Sequence, residues 1–223
     1  MIWDPMPIDA VVFDMDGVLI DSEPVWNQVR VELANEQGLP WTEELQRACI
    51  GRATVEWAKV MRDGLHLEAS IEEVIDDVRR RMIHSYARHL PLISGAVEAV
   101  RRMAGAFPVA LASGSMTALI EHVLAATGLD RLIPVVVHGD TVPRGKPAPD
   151  IYLEAARRLG ASPRGCAGVE DSASGLRALH AAGMKAVAVP SPGYPLPAEV
   201  LALADLRIST LDELTVEAVR ALA

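Results

Sequence analysis

The chain has 223 residues, half of them hydrophobic and 23% charged, the profile of a packed globular protein and not of a disordered one. That length suits a core domain carrying an insertion. The formal net charge of -9 argues against a nucleic-acid partner, because a phosphate backbone is bound by clustered Lys and Arg.

Ile8 to Phe13 is a short apolar run with one early Asp that ends in Asp14-Met15-Asp16-Gly17, as expected of a buried parallel strand delivering acids at its carboxyl end. Residues 18–90 then read as helix after helix: Pro24 to Gln37, Thr42 to Cys49, Thr54 to Asp63 and Ser70 to His89. Ser70-Ile71-Glu72-Glu73 fits a capping box. Arg79-Arg80-Arg81, the longest basic cluster, reads as the solvated side of the last of these helices, with a binding patch as the alternative.

Beyond Pro91 the strand layout recurs. Pro108 to Ala112 leads into Ser113-Gly114-Ser115, Ile133 to Val137 into His138-Gly139-Asp140, Cys166 to Val169 into Glu170-Asp171-Ser172, and Lys185 to Val189 into Pro190. Helical patterns lie between them at Met116 to Thr127, Pro149 to Leu159 and Gly175 to Ala182, the last closed by Gly183 as a C-cap. Pro190 to Pro197 is a proline-rich loop with a structural role. Alternating strands and helices predict an α/β fold with a parallel sheet and helices on both faces, where ligands collect at the carboxyl ends of the strands. The helical stretch predicts a second, all-helical unit at 18–90, inserted in a core made of 1–17 and 91–223.

Four polar clusters sit at predicted strand ends. Asp14 and Asp16, two apart on extended backbone, would point into one site. One carboxylate there can attack phosphorus while the other serves as acid and base, although Asp-x-Asp also occurs in surface turns. Gly17 permits a tight departure from the strand. Ser113 and the Gly114 N–H could hold a phosphate at the start of a helix, or simply cap it. Lys146, in Gly145-Lys-Pro-Ala-Pro-Asp150, sits in a proline-stiffened loop where a fixed ammonium could neutralise phosphoryl oxygens; an ordinary loop lysine is only solvated. Glu170 and Asp171 could complete an oxygen cage for Mg²⁺ with Asp14, or cap the following helix. Each cluster supplies a different part of phosphoryl transfer, and together they point to that chemistry.

These residues resemble the four motifs of the haloacid dehalogenase superfamily of aspartate-nucleophile phosphatases, in order and over nearly the whole chain: Asp14-Met15-Asp16-Gly17, Ser113, Lys146 and Glu170-Asp171. The resemblance implies a Rossmann-like core with a helical cap inserted after the first motif. It implies Asp14 as nucleophile and Asp16 as acid and base, with the Asp16 carbonyl also reaching the metal. Ser113, Gly114 and Lys146 would hold the phosphoryl group. Asp14, Asp171 and Glu170, the last directly or through water, would hold Mg²⁺.

An aspartate at position 16 favours phosphoesters over the superfamily's dehalogenase and phosphonate chemistries. The β-phosphoglucomutases carry a proton-transferring histidine where this chain has Trp26, and Asp21-Ser22-Glu23-Pro24-Val25-Trp26 is similar to the bacterial sugar-phosphatase branch. A phosphatase acting on a small phosphorylated metabolite, a sugar or sugar-alcohol phosphate, is therefore expected, with a phosphomutase as the enzymatic alternative. An inactive phosphate-binding or phosphorylation-switch relative is the non-enzymatic one. Trp26 and Arg52, the latter in Ile50-Gly51-Arg52 between two cap helices, are candidates for facing the sugar by stacking and hydrogen bonding, or for packing and a helix start.

Cys49 and Cys166 stand far apart with no nearby His pair, so neither a disulfide framework nor a zinc site is expected. No apolar run reaches the length of a membrane span and the start shows no signal-peptide pattern. A monomer in the cytoplasm, without a membrane partner, is the expectation.

Overall fold

The central strand β1 (Ala10–Phe13) shows how the sequence divides the molecule. All four of its residues are buried, yet they face two different cores, as the two-residue period of a strand requires. Val11 and Phe13 join Leu111, Val169 and Val187 in one core; Ala10 and Val12 join Ala110, Ala112, Ala186 and Ala188 in the other. This chain is described in a computed structural model covering residues 7–49, 52–189, 191 and 195–223. The amino-terminal segment, Ile50 and Gly51 of the Ile50-Gly51-Arg52 connection, and Pro190, Pro192, Gly193 and Tyr194 of the proline-rich loop lie outside the described residues.

The alanine-rich face lets helices come close. On it lie α7 (Asp150–Leu159) and α8 (Ala173–Ala182), and the approach is so tight that a Cβ at Gly168 would overlap the Leu179 side chain. The larger side chains of the other face pack against α5 (Ala96–Ala104) and α6 (Thr117–Thr127). Strands β2 (Val109–Ser113), β3 (Val135–His138), β4 (Cys166–Glu170), β5 (Lys185–Ala188) and β6 (Leu206–Arg207) complete a six-stranded, all-parallel sheet in the order β3-β2-β1-β4-β5-β6. Strand order reverses beside β1, between β2 and β4, and a crevice opens at the carboxyl ends of the strands at such a reversal.

Between β1 and β2 the chain makes four helices, α1 (Glu23–Glu36), α2 (Glu43–Cys49), α3 (Thr54–Gly64) and α4 (Ile71–Arg88), each within about a residue or two of its predicted span. The strands that leave and re-enter the core run side by side: Asp21 N–H donates to Pro91 O (2.8 Å) and Ile93 N–H to Leu19 O (3.0 Å). On α4 the three arginines are spent on Asp76, Asp77 and Glu36, which matches a solvated helix side and leaves no basic patch. Among the described residues no helix is long and apolar enough to cross a membrane.

Sequence reading passed over α5, β6 and the short helices α9 (Ala198–Leu201) and α10 (Val216–Arg220). Helix α5 starts at Gly95, which has a positive φ of 78° and offers no side-chain cap, so it lacks the usual start signal. With two residues, β6 is too short to display a period.

The predicted capping box is present: Ser70 Oγ accepts from Glu73 N–H (3.2 Å) and Glu73 Oε2 from Ser70 N–H (2.8 Å). Ser70→Ala should therefore lower stability by about 1 kcal/mol in urea unfolding. An unchanged midpoint would show that α4 is held by its packing alone.

Candidate active site

Asp14 follows β1 directly and stays in the sheet, its N–H donating to Val169 O (3.0 Å). Its carboxylate is buried, and Lys146 Nζ lies 2.9 Å from Oδ1. The same ammonium donates to Glu170 Oε1 (2.7 Å), at the end of β4, and to Ala112 O (3.2 Å), in β2. Lys146 thus ties together three neighbouring strand ends, and its side chain is only 12% exposed, unlike a solvated loop lysine. The Lys146–Pro147 peptide is cis.

Glu170 is fully buried and fully occupied. Oε1 accepts from Lys146 and from Tyr152 Oη (2.7 Å); Oε2 accepts from Asp171 N–H (3.1 Å), Ser172 N–H (3.0 Å) and Ser172 Oγ (3.0 Å). The helix after it is capped by Ser172, which accepts from Gly175 N–H (3.0 Å). Glu170 therefore steadies the start of α8, one of the two expected readings, and also anchors the lysine, a role the sequence did not suggest. The Tyr152 ring lies beneath the ammonium at 5.0 Å, a cation–π contact in a dry setting.

Burial pulls the Lys146 pKa down, but Asp14 and Glu170 outweigh it and hold the net value above the ordinary one. Burial raises Glu170, and Lys146 with the hydroxyl and amide donors brings it below its ordinary value. Asp14 ends well above the ordinary carboxylate range: burial raises it, Lys146 lowers it, and Glu170, Asp16 and Asp171 raise it further. Asp171 is pushed up to about 7 by burial first, then by Glu170 and Asp16, against Lys146. One oxygen from each of Asp14, Glu170 and Asp171 falls within 4.8 Å of the others. Such crowding is what a divalent cation relieves, and the set is made of hard oxygen donors.

The Asp16 carboxylate turns toward the neighbouring strand end. Its Oδ2 accepts from Ser113 Oγ (3.1 Å) and Ser115 Oγ (2.7 Å), while Ser113 Oγ accepts from Ser115 N–H (3.0 Å). The two aspartates still converge, since Asp16 is among the charges that raise Asp14. The capping alternative for these serines does not hold: α6 begins beyond them at Thr117, after Met116, and no side chain caps it. Gly114 is exposed, with open space where a Cβ would stand.

The structure brings Asp14, Asp16, Ser113, Lys146, Glu170 and Asp171 together, with Gly114 following Ser113 at the end of β2. It does not do so for the two cap residues. Trp26 is 9% exposed, its face covered by the Arg30 guanidinium at 5.2 Å and its ring meeting Trp57 edge-on at 5.5 Å, so the packing alternative describes it. Arg52 is exposed and donates to Ala48 O at the end of α2. Among the described residues neither makes a hydrogen bond or ion pair to the strand-end groups.

Four contributors went unread in sequence: Ser115, Tyr152, Ser172 and Gly175. Tyr152 carries an apolar-face pattern on α7, and its one signal is that a buried phenol needs a partner. Gly17 (φ 77°) and Gly175 make room for carboxylates, because a Cβ at either would overlap Asp171 and Glu170 respectively. The five donors on Glu170 prevent it from swinging aside, so Gly175→Ala should cost roughly 1–3 kcal/mol in urea unfolding, whereas Gly114→Ala should stay within about 0.5 kcal/mol. Equal costs would show that the Glu170 carboxylate moves freely.

Comparison with known proteins agrees with this geometry. Residues 8–183 match the model of the haloacid dehalogenase-like hydrolase family. Hexitol phosphatase B of Escherichia coli (strain K12) is 34% identical over 221 residues, covering 95% of this chain and 96% of that protein. Fructose-1-phosphate phosphatase YqaB of the same strain is 34% identical over 184 residues, covering 81% and 95%. The crystal structure of CbbY from Rhodobacter sphaeroides in complex with phosphate superposes with a TM-score of 0.83 over 96% of this chain and 99% of that one, at 24% identity, a likeness of fold. The chain belongs to the haloacid dehalogenase-like hydrolases, in the branch of sugar phosphatases and β-phosphoglucomutase-like proteins, and is a phosphoric monoester hydrolase.

Proposed function

We propose that this phosphatase is Mg²⁺-dependent and hydrolyses small sugar or sugar-alcohol phosphates through an aspartyl-phosphate on Asp14. The observation that carries the reading is the Asp14–Lys146 contact, a buried carboxylate paired with an ammonium that Glu170 holds in place. Asp14 attacks phosphorus; the ammonium, Ser113 and the Gly114 N–H receive the phosphoryl oxygens. Asp16, oriented by two serine hydroxyls, gives a proton to the departing alkoxide and then takes one from the attacking water. In this reading residues 18–90 form the cap that excludes bulk water and residues 1–17 and 91–223 the catalytic core.

Asp14 and Asp171 would hold Mg²⁺ with the Asp16 carbonyl, and Glu170 would act through water, since both its oxygens are already engaged by protein donors. The ion would lower carboxylate repulsion toward an anionic substrate. A phosphatase is favoured over a mutase because no titratable side chain stands at position 26, and the relatives named above that are a third identical are phosphatases of hexitol and fructose phosphates.

Asp14→Asn should reduce phosphate release from p-nitrophenyl phosphate by more than about 10³-fold with the melting curve preserved. Substantial residual turnover would rule out Asp14 as nucleophile. A panel of phosphorylated sugars, polyols, nucleotides and glycolate, scored by kcat/KM, should rank sugars and polyols first. A nucleotide or glycolate preference would overturn the substrate class.

Metal dependence has its own signature. Asp171 takes up protons in the folded state between its ordinary 3.8 and about 7 that the unfolded chain has lost, and Asp14 shifts in the same direction. More protons bound to the folded state means that metal-free stability falls as pH rises through that window. Mg²⁺ should therefore raise Tm more at about pH 7.5 than at about pH 5.5, and chelation should abolish turnover. Equal or larger stabilisation at the acid pH would contradict the assigned ligands.

A further inference from the structure

One half-buried carboxyl at the start of the cap, that of Glu23, is a group that sequence reading left without a role. After Asp16 the chain folds back through Gly17, whose N–H donates to Ile20 O (2.8 Å), and Asp16 and Ile20 lie bridged side by side. This fold-back brings the start of α1, and with it Glu23, toward the end of the sheet that carries Asp16. Burial, with Asp16 adding to it, keeps the Glu23 carboxyl above its ordinary pKa in spite of Arg30.

Glu23 is held on one oxygen only. Its Oε1 accepts from Gln46 Nε2 (2.7 Å) and Arg30 Nη1 (3.2 Å). Gln46, from α2, is itself fixed, its Oε1 accepting from Trp41 Nε1 (2.8 Å) and Arg30 Nη1 (3.3 Å). Arg30 lies over Trp26, and Trp26 against Trp57 of α3, so three cap helices converge on a single carboxylate. Arg30 is 4% exposed. A guanidinium buried this deeply is costly, and apolar residues would serve packing at least as well. What the lattice achieves that apolar packing cannot is an aimed carboxylate. Among the described residues Glu23 Oε2 has no protein donor, and the side chain is 24% exposed.

We propose that Glu23 selects the leaving group: its Oε2 accepts a hydrogen bond from a hydroxyl of a polyhydroxylated alcohol, while Gln46 and Arg30 position it. The inference rests on the sugar-phosphatase reading and names the residue that enforces it. A fixed acceptor that must be satisfied by a substrate hydroxyl discriminates far more strongly than an apolar wall, because a substrate lacking the hydroxyl leaves the acceptor desolvated and unpaired.

The test compares kcat/KM for a six-carbon sugar-alcohol phosphate with that for p-nitrophenyl phosphate, whose leaving group has no such hydroxyl. Glu23→Gln should lower efficiency on the sugar-alcohol phosphate by about tenfold and Glu23→Ala by about 10²-fold, each loss at least about fivefold larger than on p-nitrophenyl phosphate. Gln46→Leu should move the same ratio in the same direction by a smaller factor. If Glu23→Ala does not fold, as leaving Arg30 unpaired would allow, Glu23→Gln and Gln46→Leu carry the test. Equal losses on both substrates would overturn the assignment and reduce Glu23 to a structural partner of Arg30, leaving the substrate class intact. A wild-type enzyme with no preference for the sugar-alcohol phosphate would sink the substrate class, and the role of Glu23 with it.

Discussion

The structure turns on one ammonium shared between two buried carboxylates. Lys146 sits 2.9 Å from Asp14 and 2.7 Å from Glu170, with almost no access to water. Burying three charges is tolerable only if each is paired and every remaining lone pair is used, and around Glu170 every one is. The fold supplies the means. Strand reversal beside β1 brings the ends of β2, β1 and β4 together, the alanine-rich face lets α7 bring the Tyr152 hydroxyl under β4, and the start of α8 contributes backbone donors. Burial and acidic neighbours hold Asp171, and Asp14 in spite of Lys146, above the ordinary carboxylate range, a crowding that a divalent cation would relieve.

This division of labour separates the two acids at the end of β4. Glu170 spends both oxygens on protein donors and fixes the lysine, whereas Asp171, admitted by the missing Cβ of Gly17, faces the Asp14 side with a raised pKa. The same logic divides the first motif. Asp14 answers to Lys146, and Asp16 answers to the serines at the end of β2, so two aspartates two residues apart meet different partners, as the separate nucleophile and acid–base parts proposed for them require.

Much of this was legible in the chain because three of the four clusters end an apolar run, and a polar residue at the end of a buried strand is conspicuous. Asp14, Ser113 and Glu170 announce themselves that way. The supporting groups do not. Tyr152 looks like any core aromatic on α7, Gly175 looks like an ordinary helical glycine, and only the three-dimensional overlap of its missing Cβ with Glu170 gives it a reason. Trp26 shows the other side: an aromatic residue close in sequence to Asp14 suits a ligand role or packing, its face is taken by Arg30, and the partner of that arginine, Glu23, keeps one oxygen without a protein donor among the described residues. Strand β6 is too short to carry a period, and α5, although its buried Ala96, Ala99, Val100 and Met103 follow a helical spacing, opens on a glycine with no side-chain cap.

The central claim is that phosphorus is attacked by Asp14 and not by water directly. The stereochemical course of hydrolysis of a phosphorothioate ester, its phosphorus made chiral with sulfur and two oxygen isotopes and the third supplied by water, tests this most directly, since two in-line displacements restore the starting configuration and one inverts it. Retention is the predicted outcome; inversion would mean that water attacks the substrate itself, and the covalent role assigned to Asp14 would have to be abandoned.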